Sequence, residues 1–311
     1  MGAMSTHFES TPTSTSTPAP TPPELRDLAV EIAREAGELV RTRRAELVDD
    51  TSAAGLQATT TTKSSAVDPV TVVDQASEAF IVDRINRTRP GDGIIGEEGA
   101  NKESTTGVEW IVDPIDGTVN FLYGIPVYAV SIGVAVDEEL VAGAVLNVAT
   151  RELYYAAKGH GAFHNHEGTT AQLRANTLND TQEAMVATGF GYTSPRRKAQ
   201  AQILTHVLPQ VRDIRRMGAA ALDFCHLAAG RIDAYYEHGL HPWDYAAGAV
   251  IAREAAAHVQ VPGLRAPATM GKCYCLRTGH FRGIRYASRR GRCKKECPHV
   301  NGEDDRTPTM I

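Results

Sequence analysis

The chain has no long hydrophobic run. No apolar stretch approaches the ~20 residues that a membrane-spanning helix needs, although 42% of the 311 residues are hydrophobic. The first residues are rich in Ser, Thr and Pro and contain no apolar core of the kind that signal peptides carry. We therefore expect residues 1–22 to be disordered, and we expect a cytoplasmic protein that makes no membrane contact.

Cysteine is scarce in most of the chain. Of the five cysteines, only Cys225 lies before residue 262, and it falls within an apolar helical pattern. A disulfide framework is therefore not expected there. No cysteine or histidine of this part belongs to a nucleophile motif, so the sequence favours chemistry without a covalent enzyme intermediate.

Positive charge is also scarce in the body of the chain. Residues 1–261 hold 21 Lys and Arg against 33 Asp and Glu, a net charge of −12. Residues 262–311 hold 11 Lys and Arg against 4 Asp and Glu, a net charge of +7. An acidic body argues against a nucleic-acid-binding surface. We expect no direct binding of nucleic acid.

Hydrophobic periodicity divides the body into two halves. Long helical patterns come first, followed between residues 127 and 157 by β-rich runs with short turns, and after residue 184 helices and strands alternate. These patterns predict an α/β (α+β) sandwich of alternating layers of helices and sheets. We place one domain at 23–261, with an antiparallel-sheet half at about 23–180 and an α/β half at about 181–261.

The stretch W-I-V-D-P-I-D-G-T-V-N-F, at 110–121, carries the first chemical signal. Its apolar start predicts a strand, which Pro114 should end because proline lacks an N–H donor. Asp113 and Asp116 would then repel each other unless a hard cation such as Mg²⁺ lies between them. The amides of Gly117 and Thr118, at a predicted helix start, suit an anion. The alternative is a solvated turn followed by a capped helix.

Further acidic residues lie at strand ends or helix starts. They are Asp74, Glu97 and Asp244. Each has a plainer interpretation, since Asp74 and Asp244 suit helix N-caps and Glu97 suits a solvated turn. Taken together with Asp113 and Asp116, they form the set of carboxylates that a multi-Mg²⁺ phosphate site requires.

Five motifs together resemble the inositol monophosphatase family, of the bacterial SuhB type and similar to its actinobacterial members. They are K-S-S-A-V-D-P-V-T-V-V-D (63–74), G-E-E-G (96–99), the 110–121 stretch, G-A-A-A-L-D (218–223) and D-A-Y-Y-E-H-G-L-H-P-W-D-Y-A-A-G (233–248). The likeness covers about residues 24–258. It implies the layered fold shared with fructose bisphosphatases.

The resemblance implies a ligand set for two or three Mg²⁺ ions. Glu97, Asp113 and the Ile115 carbonyl would hold the first ion, and Asp113, Asp116 and Asp244 the second. Glu97 would also serve a weaker third ion.

The resemblance also implies catalytic and substrate-binding residues. Asp74 and Thr118 would orient or deprotonate the attacking water, and Lys63 would lie near the phosphate. The substrate-binding positions would be Asp116, Gly117, Thr118, Gly218, Ala220 and Glu237. For Glu237, a surface position at a strand end is the plainer alternative.

The implied activity is Mg²⁺-dependent hydrolysis of inositol 1-phosphate by metal-activated water, in a homodimer. A carboxylate at Glu237 favours an inositol ring, since it can accept hydrogen bonds from two hydroxyls. Histidinol phosphate and phosphoadenosine phosphate remain alternative substrates, because D-P-I-D-G-T does not separate them. A SuhB-type regulatory partner of RNA polymerase is an alternative of another class.

The tail at 262–311 differs in composition from the body. It is basic, rich in Cys and Arg, and shows no helical or strand period over 272–297. We expect the family's final strand and helix to be missing or replaced there. The tail is interpreted as a zinc site (Cys273, Cys275, Cys293, Cys297 and His299), a basic extension or an out-of-frame translation; we favour the last, which resequencing of the 3′ end of the gene would test.

Overall fold

A computed structural model describes residues 19–48, 60–62, 69–266 and 273–277. The α-helices are α1 (Pro22–Val48), α2 (Val72–Thr88), α3 (Thr118–Tyr123), α4 (Ser194–Val207), α5 (Ala220–Ala228) and α6 (Pro242–Glu254). The strands are β1 (Thr60–Thr62), β2 (Pro69–Thr71), β3 (Gly93–Gly96), β4 (Asn101–Lys102), β5 (Val108–Asp116), β6 (Ala129–Val136), β7 (Glu139–Asn147), β8 (Leu153–Ala157), β9 (Ala162–His166), β10 (Thr169–Gln172), β11 (Met185–Thr188), β12 (Asp213–Arg215), β13 (Ala234–His238) and β14 (Cys273–Arg277). Short 3₁₀ turns occupy Thr181–Glu183 and Leu208–Gln210.

The two halves form different sheets. The first half builds an eight-stranded sheet in the order β10-β9-β8-β7-β6-β5-β3-β4, and only the β3–β5 pair is parallel. The second half builds a four-stranded sheet in the order β12-β11-β13-β14, where β11 runs parallel to both β12 and β13. The separate β1–β2 pair is antiparallel. The predicted layered α/β architecture is confirmed.

Side-chain alternation along β5 shows how the layers pack. Trp110 and Val112 lie in the core shared with α1 and α2, through residues such as Ile32 and Ile81. Ile111, between them in sequence, lies in the second core, which α5 and α6 share. Successive residues of a strand point to opposite faces, so helices cover both faces of the large sheet. Asp113, two residues after Ile111, belongs to the α5/α6 face.

Helix α6 lies unusually close to the large sheet. A Cβ atom at Gly133 would lie 2.6 Å from the Ala246 Cβ, and one at Gly143 would lie 2.6 Å from the Ala247 carbonyl oxygen. Gly133 and Gly143 are paired across β6 and β7. Because neither has a side chain, they leave a shallow depression in the sheet, the glycine seat, against which α6 packs. This seat fixes the height of the first turn of α6, where Asp244 lies.

Two local predictions, on the end of β5 and on the lack of strand character over residues 272–297, are wrong. Pro114 does not end β5: the pairing with β6 is irregular between Asp113 and Asp116, and the strand continues to Asp116. A proline fits there because an irregular segment requires no regular ladder hydrogen bond. A strand, β14, lies within 272–297.

No helix in the described ranges combines the length and apolarity that crossing a bilayer requires. We expected residues 1–22 to be disordered, and of these residues 1–18 lie outside the described ranges, whereas Pro22 already begins α1. Most of the tail also lies outside the described ranges. The expected loss or replacement of the family's final helix also falls on residues outside the described ranges.

Candidate active site

The end of β5 turns sharply into α3. Asp113 is almost fully buried, and its Oδ1 accepts a hydrogen bond from the Ile115 amide at 3.0 Å. Gly117 precedes α3 in a left-handed conformation, with φ of 87°. A Cβ atom there would lie 2.9 Å from the Val127 carbonyl oxygen. Glycine is therefore required both for the conformation and for the space.

Asp116 joins the two halves of the chain. Its Oδ1 accepts a hydrogen bond from the Ala220 amide at 3.2 Å, and its Oδ2 accepts one from the Ala221 amide at 2.7 Å. These amides belong to the first turn of α5, where unpaired N–H groups favour a carboxylate. Gly218 lies beside Gly117, since a Cβ atom on Gly117 would be 3.2 Å from its carbonyl oxygen. The sequence-predicted Gly117, Gly218 and Ala220 thus meet Asp116.

Glu97 lies on a turn that a buried glutamate holds. Glu78 of α2 accepts hydrogen bonds from the amides of Glu98 at 2.8 Å and Ala100 at 2.9 Å. The Glu97 amide donates to the Val112 carbonyl at 3.2 Å. These bonds fix the G-E-E-G turn beside β5, so that Glu97 reaches Asp113.

Asp244 lies in the first turn of α6. The helix is preceded by His241, and Asp244 Oδ2 accepts the His241 amide at 2.6 Å. Asp244 is therefore not itself the N-cap residue, although its carboxylate does cap the helix from within. Ser131, paired with Asp113 across β5 and β6, donates from its Oγ to the Trp243 carbonyl at 3.4 Å. This contact ties the start of α6 to the strand beside Asp113.

Asp74 and Thr118 complete the predicted catalytic set. Asp74 is 2% exposed in the first turn of α2, and the helix begins before it, at Val72. One turn later, Ser77 Oγ donates to the Pro114 carbonyl at 3.4 Å, which holds this end of α2 against β5. Thr118 Oγ1 donates to the Ile115 carbonyl at 3.1 Å. Lys63 lies outside the described residues.

The carboxylates interact strongly with one another. Burial, followed by the charges of Glu97, Asp116 and Asp244 and a hydrogen bond with Glu97, raises the pKa of Asp113 well above its usual range. Burial, followed by the charges of Glu97 and Asp116, also raises the pKa of Asp244 well above its usual range. The hydrogen bond from the His241 amide opposes this rise.

Asp116 follows the same pattern. Burial raises the pKa of Asp116 to about 7, with further contributions from Glu97 and Glu237, while the α5 amides oppose the shift. Like charges brought together in a buried place favour the binding of cations.

The donor set fits Mg²⁺. It consists of carboxylates and one carbonyl, and hard oxygen donors suit this ion. Across the described ranges, however, no three Asp, Glu, His or Cys side chains yet form a ready-made cage. Asp113 and Asp244 each have one oxygen engaged by a backbone amide, and both oxygens of Asp116 accept amides of α5. A bound cation would draw the carboxylates together by removing the repulsion between them.

Glu237 lies close to this cluster of carboxylates. Its charge acts on both Asp116 and Asp244, and its Oε2 accepts the Tyr235 hydroxyl at 2.7 Å. Burial raises the pKa of Glu237, although that hydrogen bond and the charge of Arg216 both act to lower it. Glu237 is therefore no isolated surface residue.

Sequence reasoning missed several supporting residues. Glu78 continues the apolar stripe of Ile81 and Ile85, and an acidic residue on such a stripe is a usable signal. Asp223 is 1% exposed, and its Oδ1 has no hydrogen-bond partner among the described groups. Burial, followed by the charges of Glu237 and Asp116, raises the pKa of Asp223 well above its usual range. Nothing in the local pattern distinguishes Asp223 from a surface helix residue.

Known proteins share this architecture. The model of the inositol monophosphatase family matches residues 22–283, beyond the limit near residue 258 expected from the motifs. Inositol-1-monophosphatase SuhB of Mycobacterium tuberculosis (strain ATCC 25618 / H37Rv) is 50% identical over 250 residues, covering 79% of this chain and 86% of that protein. The solved structure of Mycobacterium tuberculosis SuhB has a TM-score of 0.69 at 44% identity, covering 84% of this chain and 92% of that chain. Nus factor SuhB of Vibrio cholerae (serotype O1, strain ATCC 39315 / El Tor Inaba N16961) is 39% identical over 237 residues, covering 76% of this chain and 84% of that protein.

Proposed function

The chain belongs to the inositol monophosphatase family, and we propose that it is a Mg²⁺-dependent phosphatase that hydrolyses inositol 1-phosphate to myo-inositol and phosphate. The observation that carries this proposal is the cluster of buried carboxylates at the end of β5, with Glu237 on one side. Relatives named inositol-1-monophosphatase support the choice of substrate.

The proposed Mg²⁺ ligands are Glu97, Asp113, the Ile115 carbonyl, Asp116 and Asp244. When bound, the ions neutralise the charge of the phosphate dianion, lower the pKa of a water molecule and stabilise the leaving alkoxide. We propose two or three ions per site.

The chain's own groups orient the reactants. Thr118 Oγ1 donates its hydrogen to the Ile115 carbonyl, so its lone pairs are available to accept a hydrogen from the attacking water. The buried Asp74 carboxylate takes the proton of that water. Lys63 is proposed to lie near the phosphate side.

The phosphate is proposed to bind at the Gly117 and Thr118 amides, which would donate to its oxygens. Asp116 contacts the substrate while α5 holds it in place. The water attacks phosphorus in line with the ester oxygen, and the P–O bond to the inositol breaks. The leaving oxygen takes up a proton from solvent water, and Asp74 returns its proton to solvent. Gly218, Ala220 and Glu237 bind the ring.

A phosphate-release assay tests this assignment. Purified chain is incubated with inositol 1-phosphate, histidinol phosphate or phosphoadenosine phosphate, with Mg²⁺ and with a chelator. We expect Mg²⁺-dependent release, with the highest kcat/KM for inositol 1-phosphate. If kcat/KM is higher for one of the other two compounds, that compound and not inositol 1-phosphate is the substrate. Phosphate release that persists undiminished in chelator would contradict the metal site.

The Nus factor name of the Vibrio cholerae relative favours one second candidate, a regulatory partner of RNA polymerase. Capture of the polymerase by the immobilised chain discriminates between the two. A regulatory surface should retain polymerase in the Asp113→Asn variant, whereas phosphatase activity should be lost. The homodimer expected from the resemblance is checked by light scattering.

A further inference from the structure

The carboxylate of Glu237 is held in one orientation by residues outside the ligand set. Tyr235 lies two residues earlier on β13, on the same face of the strand. Its hydroxyl donates to Glu237 Oε2 at 2.7 Å, and the Tyr235 ring is fully buried. The ring packs edge-on against Phe224 of α5, with centroids 5.2 Å apart. The hydroxyl therefore has little freedom to move.

Gly189 provides the space into which the Glu237 carboxylate fits. A Cβ atom at Gly189 would overlap both carboxylate oxygens of Glu237. Gly189 does not have a positive φ, so the backbone conformation does not require glycine here. The absence of a side chain is explained by the space that Glu237 occupies.

The segment that contains Gly189 is itself fixed. The buried Gln200 of α4 donates from Nε2 to the Gly189 carbonyl at 3.2 Å, and its Oε1 accepts the Gly191 amide at 2.9 Å. One side chain thus bridges both ends of the Gly-Phe-Gly turn. Gly189 cannot readily withdraw from Glu237.

The two oxygens of Glu237 differ in their surroundings. Oε2 is occupied by Tyr235, whereas no group in the described part of the chain donates a hydrogen bond to Oε1. Glu237 is partly exposed, and its charge is felt at Asp116. A substrate hydroxyl is the natural donor for this remaining oxygen.

We propose that Tyr235 and Gly189 are positioning residues that fix Glu237 so that Oε1 faces the hydroxyls of a polyol phosphate. The inference rests on the proposed phosphatase function. It assigns to these two residues the preference of the enzyme for a hydroxyl-rich leaving group. Neither residue belongs to the proposed phosphate-binding or Mg²⁺-binding set. Their effect is on substrate binding rather than on the chemical step.

The test compares two substrates in Tyr235→Phe and Gly189→Ala. Inositol 1-phosphate presents ring hydroxyls, and 4-nitrophenyl phosphate presents none. We expect the KM for inositol 1-phosphate to rise about tenfold in each variant, the effect of one weakened hydrogen bond to a charged group. Its kcat should change less than twofold, and kcat/KM for 4-nitrophenyl phosphate should change much less than that for inositol 1-phosphate.

The controls separate positioning from a general loss of structure. Tyr155→Phe removes a hydroxyl from a ring that stacks on Phe163 of β9, and it should leave both substrates unaffected. In a Glu237→Ala background, Tyr235→Phe should cause no further rise in KM for inositol 1-phosphate, because the side chain that Tyr235 orients is absent. Equal losses with both substrates, or an unchanged KM for inositol 1-phosphate, would overturn the inference while leaving the phosphatase assignment intact. An unmodified chain that releases no phosphate from either substrate would overturn both.

Discussion

Asp113 is buried among acidic neighbours, and its Oδ1 already accepts the Ile115 amide. Its other oxygen, together with Glu97, is where the family resemblance puts a shared cation. A carboxylate in such a place lowers the stability of the metal-free protein, because its charged form is disfavoured by burial and by like charges. The burial of Asp113 therefore favours the ligand role proposed above over a role in stabilising the fold.

We therefore expect Asp113→Asn to abolish Mg²⁺-dependent phosphate release without weakening the fold. Asparagine keeps the size of the side chain and the acceptor for the Ile115 amide, but it removes the charge. The Tm in chelator should be unchanged or higher than that of the unmodified chain. Near-normal turnover in this variant would contradict the proposed ligand set.

The contribution of Glu152 to the stability of the protein depends on pH in the acid range. Burial tends to raise the pKa of Glu152, but the hydrogen bond and charge of Arg231 outweigh it and lower the pKa to about 2. A carboxyl whose pKa is lowered on folding stabilises the protein at pH values above its pKa in the unfolded state, which is near 4.5. That contribution disappears as the pH falls towards 2.

Arg231→Gln should therefore cost about 1 kcal/mol of unfolding free energy at pH 7, and the cost should shrink as the pH falls below about 4.5. Urea unfolding at pH 7, 4 and 3 measures this trend. The matched control is Arg87→Gln, because the Arg87–Asp83 pair is exposed on both sides. A cost for Arg231→Gln that stays constant with pH would contradict the role of Glu152.

At the scale of elements, the glycine seat on β6 and β7 sets the position of α6. The seat depends on cross-strand register, which pairs Gly133 with Gly143. It also depends on the contact of both with Ala246 and Ala247. Register and docking are non-local, so the sequence revealed α6 and Asp244 but not the reason that Asp244 reaches β5.

We expect Gly143→Ala to lower stability by about 1–3 kcal/mol, the range for an overpacked core. The new methyl group would meet the Ala247 carbonyl, which is backbone and can move only with the whole helix. Asp244 should move with it, so Mg²⁺-dependent turnover should fall as well. Gly263→Ala is the matched control, since a Cβ atom there has no neighbour within 4 Å; equal effects in the two variants would contradict the seat.

The short motifs predicted most of the candidate site, and the supporting residues show where sequence reasoning stops. Asp113, Asp116 and Gly117 lie within one turn of chain, so their meeting follows from local geometry. Glu78 and Tyr235 act by holding another residue, and Glu78 holds amides some twenty positions away. Pro114 was misjudged because an irregular pairing depends on the partner strand β6. A sequence pattern does not show that partner.

At the scale of the whole molecule, the edge of the four-stranded sheet depends on the tail. β14 pairs with β13 along its full length, from Ala234 opposite Arg277 to His238 opposite Cys273. The family match also continues to residue 283. The tail thus contributes a strand to the sheet that bears Glu237, contrary to the expectation of a segment without strand character.

Two truncations should separate this strand from the remainder of the tail. A chain that ends at residue 283 should keep its Tm and its phosphatase activity. A chain that ends at residue 266 would leave the hydrogen-bonding groups of β13 unpaired, and it should have a lower Tm and aggregate. Thermal unfolding and size-exclusion chromatography compare the two, and identical behaviour would show that β14 contributes nothing.

The two hydrogen bonds that Asp116 accepts from α5 join residues 104 and 105 positions apart in the chain. During synthesis, β5 is complete long before the ribosome has added residues 220 and 221. A nascent chain that stops in between contains the whole D-P-I-D-G-T motif but lacks the amides that orient Asp116. Asp116 can therefore reach its oriented state only late, once residues 220 and 221 have been made and the second half of the protein has docked on the first.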